Sequence, residues 1–549
     1  MSRIWPLAAC LSLAVLDLQA QIGFEDIAKK AGLNFTLKNS AAGQYRQVEL
    51  MPGGVAVLDY NNDGCQDIFF TNGAALPSLV KSTPAFSNRL FRNNCDATFT
   101  DVTAQAGLAG EGYSMAVAVG DFNNDGFADI FVAGVNRNIL YRNRGNGTFE
   151  DITAKAGLSG VDPKYGKLWS VSAGWLDYDN DGLLDLFVSN YVRWDPLREK
   201  PCGPPEHRLY CHPDNYAGSP NQLFHNNGDG TFTDVSVRSG IAAHIGKGMG
   251  IAFADFDGDG FTDVFVANDS IRNFLFRNRG DGTFEEMGLT AGVALADHGN
   301  PIAGMGTDFR DYNNDGRPDV VVTGMVNDTY LLFRNLGGKL MFDDDTMRSG
   351  VARATNQLTG WGMGLFDFDN DGWKDLFFAN SHFPQLNRYL GTASELRNSL
   401  LRNSGKGRFE DVSAGAGRDF QSKALYRGAA FGDFDNDGRV DVVVTALNAP
   451  AKLFRNTTAH AGHWLAIKLV GTQSNRDGLG ARLVVTTADG TKLYNHATTS
   501  VGYASSSEKL VRFGLGARDH VNSIVVYWPS GKVQQVENVA GDRIVEIKE

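Results

Sequence analysis

The 549-residue chain is short of cysteine, of proline and of positive charge. Five cysteines and 16 prolines exclude a cysteine-rich scaffold and a proline-rich linker as its organising principle. Lysine and arginine total 51 against 63 aspartates and glutamates. The formal net charge of −12 argues against nucleic acid and anionic membrane surfaces as partners, unless bound cations change the balance. Beyond the first twenty residues no apolar run reaches the length of about 18 needed for a membrane span. No HExxH, GxSxG or GxxxxGK[ST] string occurs, so zinc-protease, hydrolase-elbow and phosphate-loop chemistry have no motif to rest on. The expectation is a protein that is not an enzyme.

What is present begins at the N-terminus. Arg3, the mostly apolar stretch Ile4 to Leu16 and the small-residue site Leu18-Gln19-Ala20 read as a secretory signal over residues 1–20. The mature chain is then secreted, periplasmic or held at the cell surface. "LAAC" at residues 7–10 offers Cys10 for lipid attachment, but too little apolar chain precedes it to form a signal core. Loss of the signal removes Cys10 and leaves Cys65, Cys95, Cys202 and Cys211, an even set that reads as two disulfides in an exported chain.

The 64 glycines recur beside acidic residues, which points to tight turns. "DYDNDGLLD" at residues 177–185 is one of seven copies of a nine-residue pattern, beginning at Asp59, Asp121, Asp177, Asp255, Asp311, Asp367 and Asp433. The starts are 62, 56, 78, 56, 56 and 66 residues apart. Before each copy comes a short apolar segment such as "SMAVAVGDF". After it come a strand-like run such as "DIFV", then "NRLFRN" or a relative, a glycine turn, and "TFEDIT" or a relative. Each unit reads as a four-stranded antiparallel sheet, strands A to D, with the acidic loop joining A to B.

Seven such sheets predict an all-β seven-bladed β-propeller over residues 21–458, followed by a small β-sandwich-like domain over residues 462–549. "GFEDIAKKAGL" at residues 23–33 reads as a strand D without its A, B and C, and the seventh repeat lacks a D. The N-terminal strand is therefore expected to complete the seventh blade.

The loop chemistry points to hard cations, which take six to eight oxygens. Position 1 offers Asp59, Asp121, Asp177, Asp255, Asp311, Asp367 and Asp433, and position 3 offers Asn61, Asn123, Asp179, Asp257, Asn313, Asp369 and Asp435. Position 5 offers Asp63, Asp125, Asp181, Asp259, Asp315, Asp371 and Asp437, and position 9 offers Asp67, Asp129, Asp185, Asp263, Asp319, Asp375 and Asp441. Position 7 varies freely through Cys65, Phe127, Leu183, Phe261, Arg317, Trp373 and Arg439, as suits a backbone carbonyl ligand. Glycine at position 6 permits the turn. An EF-hand is excluded because position 12, where its bidentate glutamate belongs, holds strand residues such as Phe70 and Val132. Solvated turns without metal are the rival, and clustered carboxylates weigh against them. The expected cofactor is structural calcium, up to seven ions, which would take the formal charge from −12 to +2. Position 2 is always aromatic and is expected to pack within or between blades.

On these strings the repeats resemble the FG-GAP/VCBS repeats of integrin-type propellers. "GTQSNRDGLGARLVVTTADG" through "VVYWPSGKVQQVENV" resembles the ASPIC/UnbV domain, and the combination is similar to cartilage acidic protein and its bacterial relatives. The resemblance implies a calcium-binding propeller without naming a ligand.

In an antiparallel blade the A–B and C–D connections share one face and the B–C and D–A connections the other. The extra length of repeats 1, 3 and 6 is placed in B–C connections, away from the acidic loops, and that face is expected to carry a ligand site. The longest insertion, in repeat 3, holds Cys202 and Cys211, expected to pair, and Trp194, His207, Tyr210, His212 and Tyr216 as contacts or packing. Cys65 and Cys95 fall at one end of blade 1 and are expected to pair. Arg476, Asp477 and Gly478 mark the C-terminal domain without implying chemistry, and His460 and His463 lack a third ligand. The "RGD" at residues 279–281 reads as hairpin consensus. The function expected is a binding or adhesion module for an extracellular glycan, protein or matrix ligand. The alternative is an extracellular enzyme acting on polysaccharide from the face opposite the acidic loops.

Overall fold

The computed structural model of the protein describes residues 21–338, 341–385 and 391–549; the expected signal over residues 1–20 lies outside them. Among the described residues, seven four-stranded antiparallel sheets share one order, A-B-C-D. The second is typical: Tyr113–Gly120, Asp129–Val135, Ile139–Asn143 and Phe149–Asp151. Val, Ile and Phe dominate the B strands, which are buried on both faces and so show no alternation. The seventh sheet is Tyr426–Gly432, Asp441–Ala446 and Lys452–Asn456, completed by Phe24–Asp26 with Phe24 opposite Asn456. The expected exchange of the N-terminal strand is what the register displays.

Small residues fill the A strands because these strands crowd together. A Cβ on Gly306 would lie 2.0 Å from the Trp361 carbonyl oxygen, and one on Gly362 2.5 Å from the Ala429 nitrogen. Three sets of contacts then link each sheet to its neighbour. The position 2 aromatic packs on the strand D phenylalanine of the next sheet with ring centroids 5.6–6.2 Å apart: Tyr60 on Phe149, Phe122 on Phe232, Tyr178 on Phe284, Phe256 on Phe342 and Tyr312 on Phe409. Phe368 packs on Phe24 and Phe434 on Phe99, so the last sheet meets the first.

The second set comes from the asparagine that ends strand C. Asn93, Asn143, Asn226, Asn278, Asn335, Asn403 and Asn456 each donate Nδ2, at 2.7–2.9 Å, to the position 2 carbonyl of the preceding sheet. The third set comes from position 4. Asn62, Asn124, Asn180, Asn314, Asn370 and Asn436 donate to the position 6 carbonyl of the following loop at 2.8–3.4 Å. The fourth loop has Gly258 at that position and no side chain to offer.

The insertions of sheets 1, 3 and 6 fall between strands B and C as expected. The expectation that all extra length lies there needs correction: the D–A connection between Asp151 and Ser170 carries its own hairpin, Val161–Asp162 with Gly166–Lys167. The C-terminal part forms two sheets. In one, His463–Val470 runs antiparallel to Val511–Gly516 and parallel to Arg543–Lys548. The other has the order Lys492–His496, Arg482–Thr487, His520–Tyr527, Val533–Ala540. Ile467, Leu483, Val485, Phe513 and Ile524 are buried in one cluster.

Candidate functional site

The seven acidic loops fold alike because their own carboxylates organise the backbone. The position 1 aspartate accepts from the N–H of positions 5 and 6, for example Asp121 Oδ1 from Asp125 at 3.0 Å and Oδ2 from Gly126 at 2.7 Å. Position 5 accepts from the N–H of position 7 in every loop, for example Asp125 from Phe127 at 3.0 Å. The position 9 aspartate is at most 1 % exposed throughout, and its Oδ1 accepts from the N–H of the strand C asparagine at 2.6–2.8 Å. Glycine at position 6 has φ of 85–98°, a left-handed region open to it at little cost.

The donor set fits a hard divalent cation. Asp177, Asp179 and Asp185 bring oxygens within 4.8 Å of one another, as do Asp255, Asp257 and Asp259, and Asp367, Asp369 and Asp371. Position 3 supplies the clearest sign: Asp179 Oδ1, Asp369 Oδ1 and Asp435 Oδ1 are buried with no hydrogen-bond donor. Burial, with neighbouring carboxylates adding to it, pushes Asp177 up to about 8 and raises Asp367 and Asp375 well above the carboxylate range. Strand C cations reach some loops. Arg402 lies 2.7 Å from Asp369 and 3.0 Å from Asp371, and His225 Nδ1 lies 3.3 Å from both Asp179 and Asp185.

Position 7 has a task its variability concealed. Its side chain packs over the glycine of the C–D hairpin, where a Cβ on Gly145 would lie 2.8 Å from Phe127 and one on Gly280 2.6 Å from Phe261. In the first sheet that glycine is replaced by Cys95, at φ 64°, and position 7 is Cys65; the two form a disulfide. Hence the Asp63, Cys65 and Cys95 group is no thiolate metal site. Cys202 and Cys211 form the second disulfide. The "RGD" hairpin is spent on its own turn, with Asp281 Oδ1 accepting from Thr283 N at 3.0 Å, as Asp229 does from Thr231 at 2.9 Å.

The C-terminal domain docks on the acidic loops. Asp477 Oδ2 accepts from Asp121 N at 2.8 Å, Lys509 Nζ donates to Asp477 Oδ1 at 2.7 Å, and Arg476 N donates to Asn124 Oδ1 at 2.8 Å. Arg482 lies 3.6 Å from Asp255 and Arg512 3.3 Å from Asp433. The Arg476-Asp477 pair thus holds the domain in place, a role its motif did not reveal. His463 Nδ1 is paired with Asp542 at 2.6 Å.

From this domain, residues 497–508, all buried, enter the space that the A strands enclose. Val57 N donates to Ser506 O at 3.0 Å, Val117 N to Ala504 O at 3.2 Å, Gly502 N to Thr307 O at 2.8 Å and Glu508 N to Phe431 O at 3.0 Å. Ala504 N donates to Ser172 Oγ at 3.3 Å, Ser500 Oγ to Ile251 O at 3.3 Å, and Tyr503 packs on Trp361 at 5.3 Å. All seven sheets are touched. The Tyr503 hydroxyl reaches Met51 O, 2.6 Å away, on the far side.

Beyond Tyr503, on the face of the B–C and D–A connections, lies a cavity of about 460 Å³. Tyr210 and His212 of the repeat 3 insertion line it, together with Gln47, Asp269 and Phe383. Tyr210 also donates its hydroxyl to the buried Glu49 at 3.1 Å, while burial raises the Glu49 carboxyl. Trp194 and Tyr216 instead both hydrogen-bond Glu199 and fasten the insertion, so they pack; His207 is exposed. A smaller cavity, about 300 Å³, lies under the C-terminal domain beside His496.

The FG-GAP-like repeat family matches residues 59–132, 121–188, 211–266, 255–322, 311–378 and 367–444, and the ASPIC and UnbV family matches residues 471–549. Human cartilage acidic protein 1 is 28% identical over 324 residues, 58% of this chain and 46% of the relative, so the match spans about half the relative's length. Mouse cartilage acidic protein 1 is 24% identical over 505 residues, 87% of this chain and 71% of the relative. Among solved structures, an Agrocybe aegerita lectin that recognises non-reducing terminal N-acetylglucosamine aligns at a TM-score of 0.41 and 17% identity, over 73% of this chain and 86% of that one. The lectin BP39L from Burkholderia pseudomallei aligns at 0.43 and 11% identity, over 74% and 97%. Its repeats and C-terminal domain together make the chain a member of the FG-GAP-like repeat family, carrying an ASPIC and UnbV domain and distantly similar to cartilage acidic protein 1.

Proposed function

We propose that the chain is an exported seven-bladed β-propeller, stiffened by calcium, that binds an extracellular glycan, protein or matrix ligand on the face opposite its acidic loops. The ring reading draws on the aromatic and asparagine contacts that return from the seventh sheet to the first. Calcium would be held by positions 1, 3 and 5 with the position 7 carbonyl, and by whatever capacity position 9 keeps beyond its hydrogen bonds. Its contribution is charge: it neutralises carboxylates that burial otherwise drives towards protonation. Two disulfides accord with an oxidising compartment.

One observation carries the placement of the ligand: the C-terminal domain covers the acidic face and fills the axis, while a cavity stays open on the far face beneath the repeat 3 insertion. The reading is of recognition without turnover. Its test is binding of calcium-loaded full-length protein to arrayed glycans and matrix proteins, repeated with Phe383→Ala and Tyr210→Ala. Binding lost in both variants at unchanged melting temperature is expected; binding untouched by either would move the site. Turnover of a polysaccharide panel, lost in the same variants, would replace recognition by catalysis.

A further inference from the structure

The far-face cavity is walled mainly by apolar groups, among them Leu50, Leu209, Met325 and Phe383; of its polar lining, Tyr210, Ser270 and Gln385 spend donors on Glu49, Asp269 and the Arg208 carbonyl, and the capacity left over is mainly that of acceptors. Gln47 is 4 % exposed, spends its amide nitrogen on the Tyr191 hydroxyl at 3.4 Å, and leaves Oε1 without a donor. Asp269, 8 % exposed, accepts from Tyr191 Oη at 2.5 Å and from Ser270 Oγ at 2.9 Å. Asp328 Oδ2 accepts from Ala303 N at 3.0 Å. A carboxylate has about four lone-pair positions, so both aspartates keep acceptor capacity. Burial raises both carboxyls, a cost that a neighbouring positive charge would offset.

No lysine or arginine lines this space among the described residues, and His212 stands at its exposed edge. The buried cations nearby stand outside its lining, Arg427 with its Nη2 unpartnered. Lys247 Nζ is on Asp214 at 2.8 Å; Arg427, behind Leu50, donates Nε to the Leu50 carbonyl at 2.6 Å with its guanidinium 3.9 Å over Trp361. Glu49, which takes the Tyr210 hydroxyl and leaves Oε1 unpartnered, is a further buried acceptor beside this wall. An anion would meet two carboxylates, and an apolar neutral ligand would leave Gln47 Oε1 buried without a partner.

Building on the far-face reading, we propose that the cavity takes an organic cation, an ammonium or guanidinium group on a short apolar stem. Its N–H groups satisfy Gln47 Oε1 and Asp269, and its stem lies against Leu209, Met325 and Phe383. A volume of about 460 Å³ is at the lower end of small-molecule sites and suits one such group. The source is either a free amine or a lysine or arginine side chain of a partner.

Calorimetry on the calcium-saturated full-length protein tests this, with phenethylammonium, agmatine and a blocked arginine dipeptide as probes and 2-phenylethanol and 3-phenylpropionate as shape-matched controls. The cations are expected to bind at least about tenfold more tightly than either control, and Asp269→Asn and Gln47→Leu to weaken them about tenfold each. Met325→Trp, which fills the cavity, should abolish binding; its melting temperature and that of Asp269→Asn identify any variant that fails to fold. Preference for the dipeptide or for the free amines assigns the source, and either supports the proposal. Alcohol or acid binding as tightly as the amine overturns it, as does no cation binding at about 10 mM. A neutral sugar that binds and is lost on Met325→Trp overturns the cation while leaving the far-face reading intact.

Discussion

Asn143 illustrates how much one side chain can hold. Its Nδ2 donates to Tyr60 O across the sheet boundary and to Ala128 O within its own sheet, and its Oδ1 accepts from Gly145 N, all at 2.8–3.1 Å. Replacement by alanine strands two buried carbonyls and an N–H, so Asn143→Ala should cost about 2–3 kcal/mol in urea unfolding. Asn146→Ala, in the exposed hairpin, should cost under about 1 kcal/mol. At position 3, Asp435→Asn keeps the shape but removes charge from a buried oxygen that has no donor. It is expected to lower the calcium content by one ion per chain in elemental analysis and to leave the unfolding midpoint in chelator unchanged. The seven aspartate ladders were legible because they repeat. The asparagines repeat as faithfully, in every "RN" or "HN" that ends strand C, but nothing in a sequence says that a side chain's partner lies in the preceding repeat.

The element that matters most is the acidic loop paired with its C–D hairpin. Both are built from their own side chains, so they form locally, and the proposed cation would add to a frame already set. At tenfold excess over its dissociation constant each such ion would contribute about 1.4 kcal/mol, and several would add. Chelation should therefore lower the melting temperature of the full chain steeply, and added calcium should restore it. Cys202 and Cys211 close a loop only nine residues apart in sequence, worth about 2.5 kcal/mol at most in chain entropy. Cys211→Ser is expected to weaken ligand binding at the far face more than it lowers the melting temperature, because Cys211 borders the cavity and not the ring core. Strand order, the completing N-terminal strand and the Cys65–Cys95 pair followed from periodicity and the face rule, and the Cys202–Cys211 pair from their closeness within the repeat 3 insertion. Which insertion residues face the cavity did not: Trp194 and Tyr216 look like contacts in sequence but are tied to Glu199, a pairing that depends on how the proline-rich segment folds back.

At the scale of the molecule, the repeats and the C-terminal domain form one hydrogen-bonded body. The stretch "ATTSVGYASSSE" has no periodicity, charge run or motif, so nothing marked it as the filling of the axis; its small polar residues are what a narrow space lined by backbone admits. Ending the chain after residue 458 should expose the A strands to water and lower the melting temperature by well over about 10 °C, read by calorimetry as loss of the single full-length transition. The junction should also sense acid. His496 donates its Nε2–H to Phe253 O, 2.9 Å away, and burial, with Arg310 and Lys374 adding to it, lowers it from the usual 6.5 to about 3. Between those values only the unfolded chain takes up the proton, so stability falls as pH drops below 6.5. At pH 5 the loss is about 2 kcal/mol. At saturating calcium, His496→Gln should flatten the fall in unfolding free energy between pH 7.5 and 5; an unchanged slope would assign it to other groups.

The completing strand Phe24–Asp26 imposes an order on biogenesis. It is made long before its partner, and its hydrogen-bonding edge waits until Lys452–Asn456 has been synthesised. For more than four hundred residues of growing chain that edge is a template for the wrong neighbour, and its three-residue length and the charges of Glu25 and Asp26 are what keep it unattractive in the interval.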